Sequence, residues 1–210
     1  MSADLPGFPQ HAFEKSDDAP DDQFYSFPRF VTHIDEPAIA AVTALYRELF
    51  PPGGVVLDLM GSWVAHLPGD VAYAEVIGHG MNAEELAANP RYSRWFVQNL
   101  NEDPNLPLAE ASVDSVAICV SIQYLQDPVA VLREVGRVLK PGGAIAITFS
   151  NRCFPTKAVA IWQALGMGEH QRLVAFYLEH AGFAAPEART IISPDAASDP
   201  LWAVVARKAG

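Results

Sequence analysis

Three side chains in this 210-residue chain could exchange a proton with a bound molecule: His33, His66 and Tyr25. Free imidazole titrates near neutrality, so either histidine could act as a general base. A lone histidine is also a common structural residue, and both readings stand for each. Arg152, in the run Ser150-Asn151-Arg152-Cys153, carries a planar fork of donors suited to a carboxylate or phosphate, or to a surface salt bridge. Asp58 closes the apolar run Val55-Val56-Leu57, where an acid either meets a ligand or fixes the turn that follows. Several chemistries have no motif to carry them. There is no G-x-x-x-x-G-K-[ST] phosphate loop and no G-x-S-x-G elbow. No dinucleotide fingerprint follows Asp58, and no cluster of His and Cys has metal-ligand spacing. The two cysteines, Cys119 and Cys153, form no disulfide framework.

The elements that must position these groups alternate. Short apolar runs at Val55–Leu57, Val71–Ile77, Trp95–Val97, Val113–Val120 and Ala144–Phe149 predict five strands. Helical spacing follows Asp35-Glu36-Pro37, with Ile39, Val42, Tyr46 and Leu49 on one face. Asn82 caps a predicted helix over 83–88. Asp127-Pro128 opens another, with Val129, Leu132, Val135 and Leu139 inward and Lys140-Pro141-Gly142-Gly143 as its stop. Strands buried on both faces and separated by helices predict a parallel sheet. Helices near 156–164 and over 169–181 precede two runs, Ala188–Ile192 and Leu201–Ala206, joined by the short link Ser193–Pro200, which makes them a hairpin. The fold class is therefore α/β, Rossmann-like and doubly wound, a mostly parallel sheet with an antiparallel C-terminal strand. In such a sheet ligands bind beyond the carboxyl ends of the strands. That selects Asp58 to Ala65, Gly78 to Asn82, Asn99 to Glu102, Ser121 to Tyr124 and Ser150 to Lys157.

Composition narrows the partners. Half of the residues are hydrophobic, enough for one sizeable core, and the net charge is −11. An acidic chain suits neither a nucleic-acid backbone nor an anionic membrane surface. No apolar stretch is long enough to span a bilayer, and no signal peptide is present, which predicts a cytoplasmic protein. Residues 1–22 hold six acids and one base and read as a flexible acidic tail. Residues 23–210 read as a single domain, with 23–52 as a cap segment whose aromatic stretch from Tyr25 to Phe30 covers either a substrate pocket or the sheet edge.

Three runs carry a resemblance. Val56-Leu57-Asp58-Leu59 with a glycine-containing turn is similar to motif I of the class I S-adenosylmethionine-dependent methyltransferases. Leu106 to Val116 looks like that family's run before strand four. Glu134-Val135-Gly136-Arg137-Val138-Leu139-Lys140-Pro141-Gly142-Gly143 matches its E-x-x-R-V-L-K-P-G-G. The closest likeness is to the methyltransferase type 11 subgroup, over about residues 36–150. It implies a seven-stranded sheet, S-adenosylmethionine as cofactor and a small-molecule acceptor.

By position, the resemblance places Asp58, Gly61, Ser62 and Trp63 in the loop after strand one. Gly80 stands where the family keeps an acid for the ribose hydroxyls, and Asn82 is the alternative acceptor. Asn99, beside Leu100, stands where the family's aspartate meets the adenine amino group. Ser121 meets the cofactor, and Tyr124, Asn151 and Arg152 face the substrate. The sequence also departs from the pattern: Met60, Ser62 and Val64 occupy the three glycine positions of motif I. Two functions are therefore carried forward, a methyltransferase with His33, His66 or Tyr25 as base, and a non-catalytic methyltransferase-like binding or scaffold protein presenting an apolar patch. Neither the methyl acceptor nor the oligomeric state is specified.

Overall fold

Seven strands form one sheet in the order β3-β2-β1-β4-β5-β7-β6. The computed structural model describes residues 7–210. The strands are β1 (Val55–Asp58), β2 (Glu75–Gly80), β3 (Arg94–Val97), β4 (Val113–Cys119), β5 (Leu139–Phe149), β6 (Ala184–Ile192) and β7 (Leu201–Arg207). Neighbours are parallel from β3 through β5, and β7 runs antiparallel to both β5 and β6. The chain therefore reverses strand order beside β1 and β4, which opens a crevice at their carboxyl ends.

Two layers cover the sheet. On one face lies α2 (Glu36–Leu49), opened by Asp35, whose carboxylate accepts from the Ala38 N–H at 3.0 Å. It presents Ala38, Val42, Leu45 and Tyr46 to the sheet, and Tyr46 stacks on Phe50 at 4.8 Å. Opposite them stand the small residues Ala117, Ala146 and Ala203, which let the helix approach closely. The other face is covered by α4 (Pro128–Val138) and α6 (Met167–His180), whose Leu132, Val135, Leu173 and Tyr177 join Val116, Ile118, Ile145 and Ile147 in the larger core. The short helices are α1 (Asp21–Tyr25), α3 (Ala83–Ala88) and α5 (Ala160–Ala164). The β1-to-β2 crossover, residues 59–74, contains no helix.

Several expectations are corrected. The described part of the acidic stretch does not hang loose. Ala12 and Phe13 are buried in the main core, and Phe13 packs against Phe8 and Tyr177. Two of its acids, Asp17 and Asp21, have buried partners. Lys15 meets Asp21 at 2.6 Å, and Lys157, fully buried, meets Asp17 and Asp21 at 3.3 and 3.4 Å. Strand β2 runs from Glu75 to Gly80, whereas the sequence pattern starts it at Val71 and ends it at Ile77. At Gly78 the Tyr92 ring fills the place of a side chain, with a Cβ position 2.3 Å from its atoms. Strand β5 begins at Leu139, so the Lys140-Pro141-Gly142-Gly143 run ends α4 and already belongs to the strand. Gly142 turns there at φ +76°.

Candidate functional site

A cavity of about 590 Å³ opens at the carboxyl ends of β1 to β5. Its floor is made by the residues that leave each strand: Met60 to Ser62 after β1, Gly80 to Asn82 at the end of β2, Asn99 and Leu100 after β3, Val120 and Ser121 after β4, and Arg152 to Phe154 after β5. Its roof is the strap of residues 21–35, with Tyr25, Arg29 and His33 facing in.

Hydrogen bonds hold the strap down. The Asn82 side-chain amide donates to the carbonyls of Tyr25 and Ser26 at 3.0 and 3.2 Å. Its oxygen caps α3 by accepting from the N–H groups of Glu84 and Glu85. Glu85 accepts the Arg29 N–H at 2.6 Å and the Ser62 hydroxyl. The Arg29 guanidinium lies over the Phe24 and Phe154 rings. The Trp63 indole donates to the Val31 carbonyl at 3.0 Å and meets Phe30 edge-on. Phe27, Phe30 and Val31 are exposed on the outside of the strap, as are Trp95 and Val97 on the edge strand β3.

The loop after β1 is fastened to β2. Gly61 N–H donates to the His79 carbonyl at 2.7 Å, and Met60 N–H donates to His79 Nδ1 at 3.0 Å. His79 Nε2 is bonded to the Gln98 carbonyl at 3.1 Å, so the ring is neutral with its proton on Nε2. Burial pushes its pKa down to about 4. Met60 and Val120 both line the cavity in the left-handed region, at φ +59° and +45°. Each costs about 1–2 kcal/mol of backbone strain, held at the site by the surrounding contacts.

The expected site residues divide. His33, Tyr25, Gly61, Ser62, Gly80, Asn82, Asn99, Leu100, Ser121, Tyr124 and Arg152 line the cavity. Asp58 does not. It is buried beneath the loop, where the Tyr92 hydroxyl donates to it at 2.8 Å, and burial raises its pKa to about 7. Gly61 leaves room for this pair, since a Cβ there would lie 2.4 Å from the Tyr92 hydroxyl. His66 also lies outside the cavity. Its neighbours Ala65 and Leu67 are packed in the core layer of α2, and burial takes its imidazole down to about 4. Trp63 lies outside the cavity lining and pins the strap. Asn151 is exposed outside the cavity beside Ser150.

Tyr25 faces in, and burial raises its phenol well above its ordinary range, which keeps it protonated at pH 7. Tyr124 accepts the Phe154 N–H at 2.9 Å. Asn99 donates to Glu102 and accepts the Asn101 N–H. Arg152 Nε donates to Asp199 at 2.8 Å, and Asp199 and Asp35 each accept the other's backbone N–H. His33 stands at the rim, 5.4 Å from the Phe154 ring, and is exposed on its outer side. Burial of its inner side lowers its pKa, while Glu85 pulls it up and Arg29 pushes it down. The imidazole is therefore neutral at pH 7. The Ser121 hydroxyl is buried and has no hydrogen-bond partner among the described residues.

Sequence reasoning missed Glu85, Asp35 and Asp199 as cavity residues, and it placed His79 and Phe154 in ligand-facing segments without singling them out. Glu85 had one signal, its place three residues after the cap Asn82, which also sets a side chain on the first turn of a helix that starts at a strand end.

Residues 60–147 match the methyltransferase domain family. A demethylmenaquinone methyltransferase of Corynebacterium urealyticum is 36% identical over 104 residues, 42% of this chain and 45% of that protein. The match thus spans less than half the length of that relative. A SAM-dependent methyltransferase from Aquifex aeolicus superposes with a TM-score of 0.59 at 18% identity, covering 90% of this chain and 97% of that one. One from Mesorhizobium loti gives 0.57 at 18%, covering 80% and 98%. The cyclase SpnF gives 0.60 at 17%, covering 80% of each, so the shared fold does not by itself choose the reaction. Among the described residues no helix is long and apolar enough to cross a membrane, and no group of acids, His and Cys is placed to hold a metal ion. The chain has the class I methyltransferase fold, and its residues 60–147 carry the match to the methyltransferase domain family.

Proposed function

We propose that the chain is an S-adenosylmethionine-dependent methyltransferase acting on a small, largely apolar acceptor. The observation that carries this reading is a roofed cavity at the carboxyl ends of five strands, on a domain of the methyltransferase family, with a neutral His33 at its rim and an unpartnered Ser121 hydroxyl in its floor.

The residues present fit a nucleoside-bearing cofactor, though not through Asp58. Met81 and Leu100 offer apolar flanks for a flat base, and Asn99 keeps a carbonyl oxygen as an acceptor. The Ser121 hydroxyl supplies a buried donor with no partner among the described residues. When bound, the cofactor supplies an electrophilic methyl group on a sulfonium. The chain's own part is alignment and dryness. The strap, tied by Asn82, Glu85 and Trp63, excludes water from the crevice. Tyr25, Tyr124 and Phe154 offer aromatic walls to an acceptor. His33 takes the proton of an acceptor that must lose one, since its neutral imidazole stands at the mouth. The acceptor class is suggested by these walls and by the relative that acts on a demethylmenaquinone, which puts phenols and quinols first among acceptors to screen.

Calorimetric titration with S-adenosylmethionine and S-adenosylhomocysteine tests the reading. Micromolar binding of either is expected. No heat and no thermal stabilisation at millimolar ligand would overturn it, leaving a methyltransferase-like fold that binds something else.

A further inference from the structure

A nucleoside brings two vicinal hydroxyls, and a cavity that takes them out of water must offer acceptors. The end of β2 is where such an acid would be sought, but Gly80 cannot carry one. A Cβ there would lie 2.5 Å from the Gly61 carbonyl oxygen, which is held in place by the Gly61 N–H bond to the His79 carbonyl. The four carboxylates that line the cavity are Asp21, Asp35, Glu85 and Asp199. Asp21 is neutralised by Lys15 and Lys157 and accepts from Asn101. Asp199 is paired with Arg152 and takes the Asp35 N–H. Asp35 caps α2 and takes the Asp199 N–H. Glu85 alone follows β2 and touches the loop after β1. Its partners are one backbone N–H and the Ser62 hydroxyl, a rotor that can turn away or share the carboxylate with an incoming hydroxyl.

We propose that Glu85 is the carboxylate that receives the cofactor's ribose hydroxyls, one helical turn along from the strand end where Gly80 stands. The assignment rests on the reading that the cavity holds a nucleoside cofactor. It also explains why Ser62 stands in the loop: its hydroxyl holds the carboxylate toward the cavity when no diol is bound.

The test is calorimetric, with S-adenosylhomocysteine and its 2′-deoxy and 3′-deoxy counterparts on the wild-type chain and on Glu85→Gln. Glutamine keeps the shape and an oxygen for the Arg29 N–H, so the strap stays tied. The wild type is expected to prefer the ribonucleoside by about tenfold or more. Glu85→Gln is expected to lose about tenfold in affinity for it and less for each deoxy form, which retains one hydroxyl, and so to lose most of the preference. A variant that keeps the full ribose preference overturns the assignment. So does one that weakens all three ligands alike, which would make Glu85 a strap anchor only. If the wild type binds S-adenosylhomocysteine without any ribose preference, this assignment alone fails; if it binds none of the three, the cofactor reading fails first.

Discussion

Replacing Asp58 by Asn separates two accounts of the acid that ends β1. As a ligand-binding carboxylate it would be wet and ionised. In the structure it is buried, its one side-chain partner is the neutral Tyr92 hydroxyl, and its pKa rises from 3.8 to about 7 because burial penalises the charge. The folded carboxyl therefore holds its proton more tightly than the unfolded one. Between about pH 4 and pH 7 the native state keeps a proton that the unfolded chain has released, so stability falls as pH rises through that window. At about 1.4 kcal/mol per pH unit, the part of the window above pH 5 corresponds to about 3 kcal/mol.

The amide introduced by Asp58→Asn would carry no charge at any pH and would still accept from Tyr92. Urea unfolding of both proteins at pH 5 and pH 8 reads the effect. The variant's stability relative to wild type is expected to rise by about 3 kcal/mol from the lower pH to the higher. His66 and His79, both lowered to about 4, act with the opposite sign: each adds stability that is lost as pH falls through about 6.5 toward 4. They are present in both proteins and cancel in the difference. A difference that is equal at the two pH values would refute the reasoning. It would mean that Asp58 is ionised in the fold and within reach of water or a ligand. Affinity for S-adenosylhomocysteine is expected to stay within about threefold of wild type, because Asp58 does not line the cavity.

Three further perturbations test other contacts. His33→Gln should lower turnover of a proton-bearing acceptor by about 10²- to 10⁴-fold with little change in cofactor affinity, and the acid limb of the wild-type turnover profile should lie below pH 6.5. Equal turnover would remove His33 as the base. Gly80→Asp, which returns an acid to the strand end, should cost about 1–3 kcal/mol in chemical unfolding because its Cβ meets the Gly61 carbonyl, and it should not tighten cofactor binding. A stable variant with tighter binding would show that the loop moves aside. Lys157→Met should cost about 1–3 kcal/mol, since Asp21 keeps Lys15 while the Ala19 carbonyl and the partly exposed Asp17 lose their cation, and it should speed proteolysis within residues 7–22. An unchanged unfolding midpoint would mean that the N-terminal wrap does not depend on that ion cluster.

The fold was legible because its signals are local. Asp127-Pro128 followed by Val129, Leu132 and Val135 writes a helix and its buried face in one stretch, and α4 begins where that stretch places it. The strand ends that floor the cavity follow from the same alternation. What the sequence hid is pairing across distance. Lys15 is 142 positions from Lys157, yet the two share Asp21, which turns an acidic tail into a packed wrap. Asp58 is 34 positions from Tyr92, and β1 lies beside β2 in the register Asp58 to Gly78. The Tyr92 ring then fits over Gly78 and its hydroxyl beside Gly61.

Taken singly, each glycine near a strand end suggests close approach to a ligand. Here Gly61 and Gly78 make room for Tyr92, and Gly80 makes room for the Gly61 carbonyl. The loop after β1 and the end of β2 are therefore coupled in space, because the Gly61 carbonyl occupies the room that a side chain at position 80 would need. Fastening the loop to His79 places the Gly61 carbonyl where an acid at position 80 would have begun. In a chain that keeps that fastening, position 80 presents no carboxylate to the cavity, and in the next element, α3, Glu85 does.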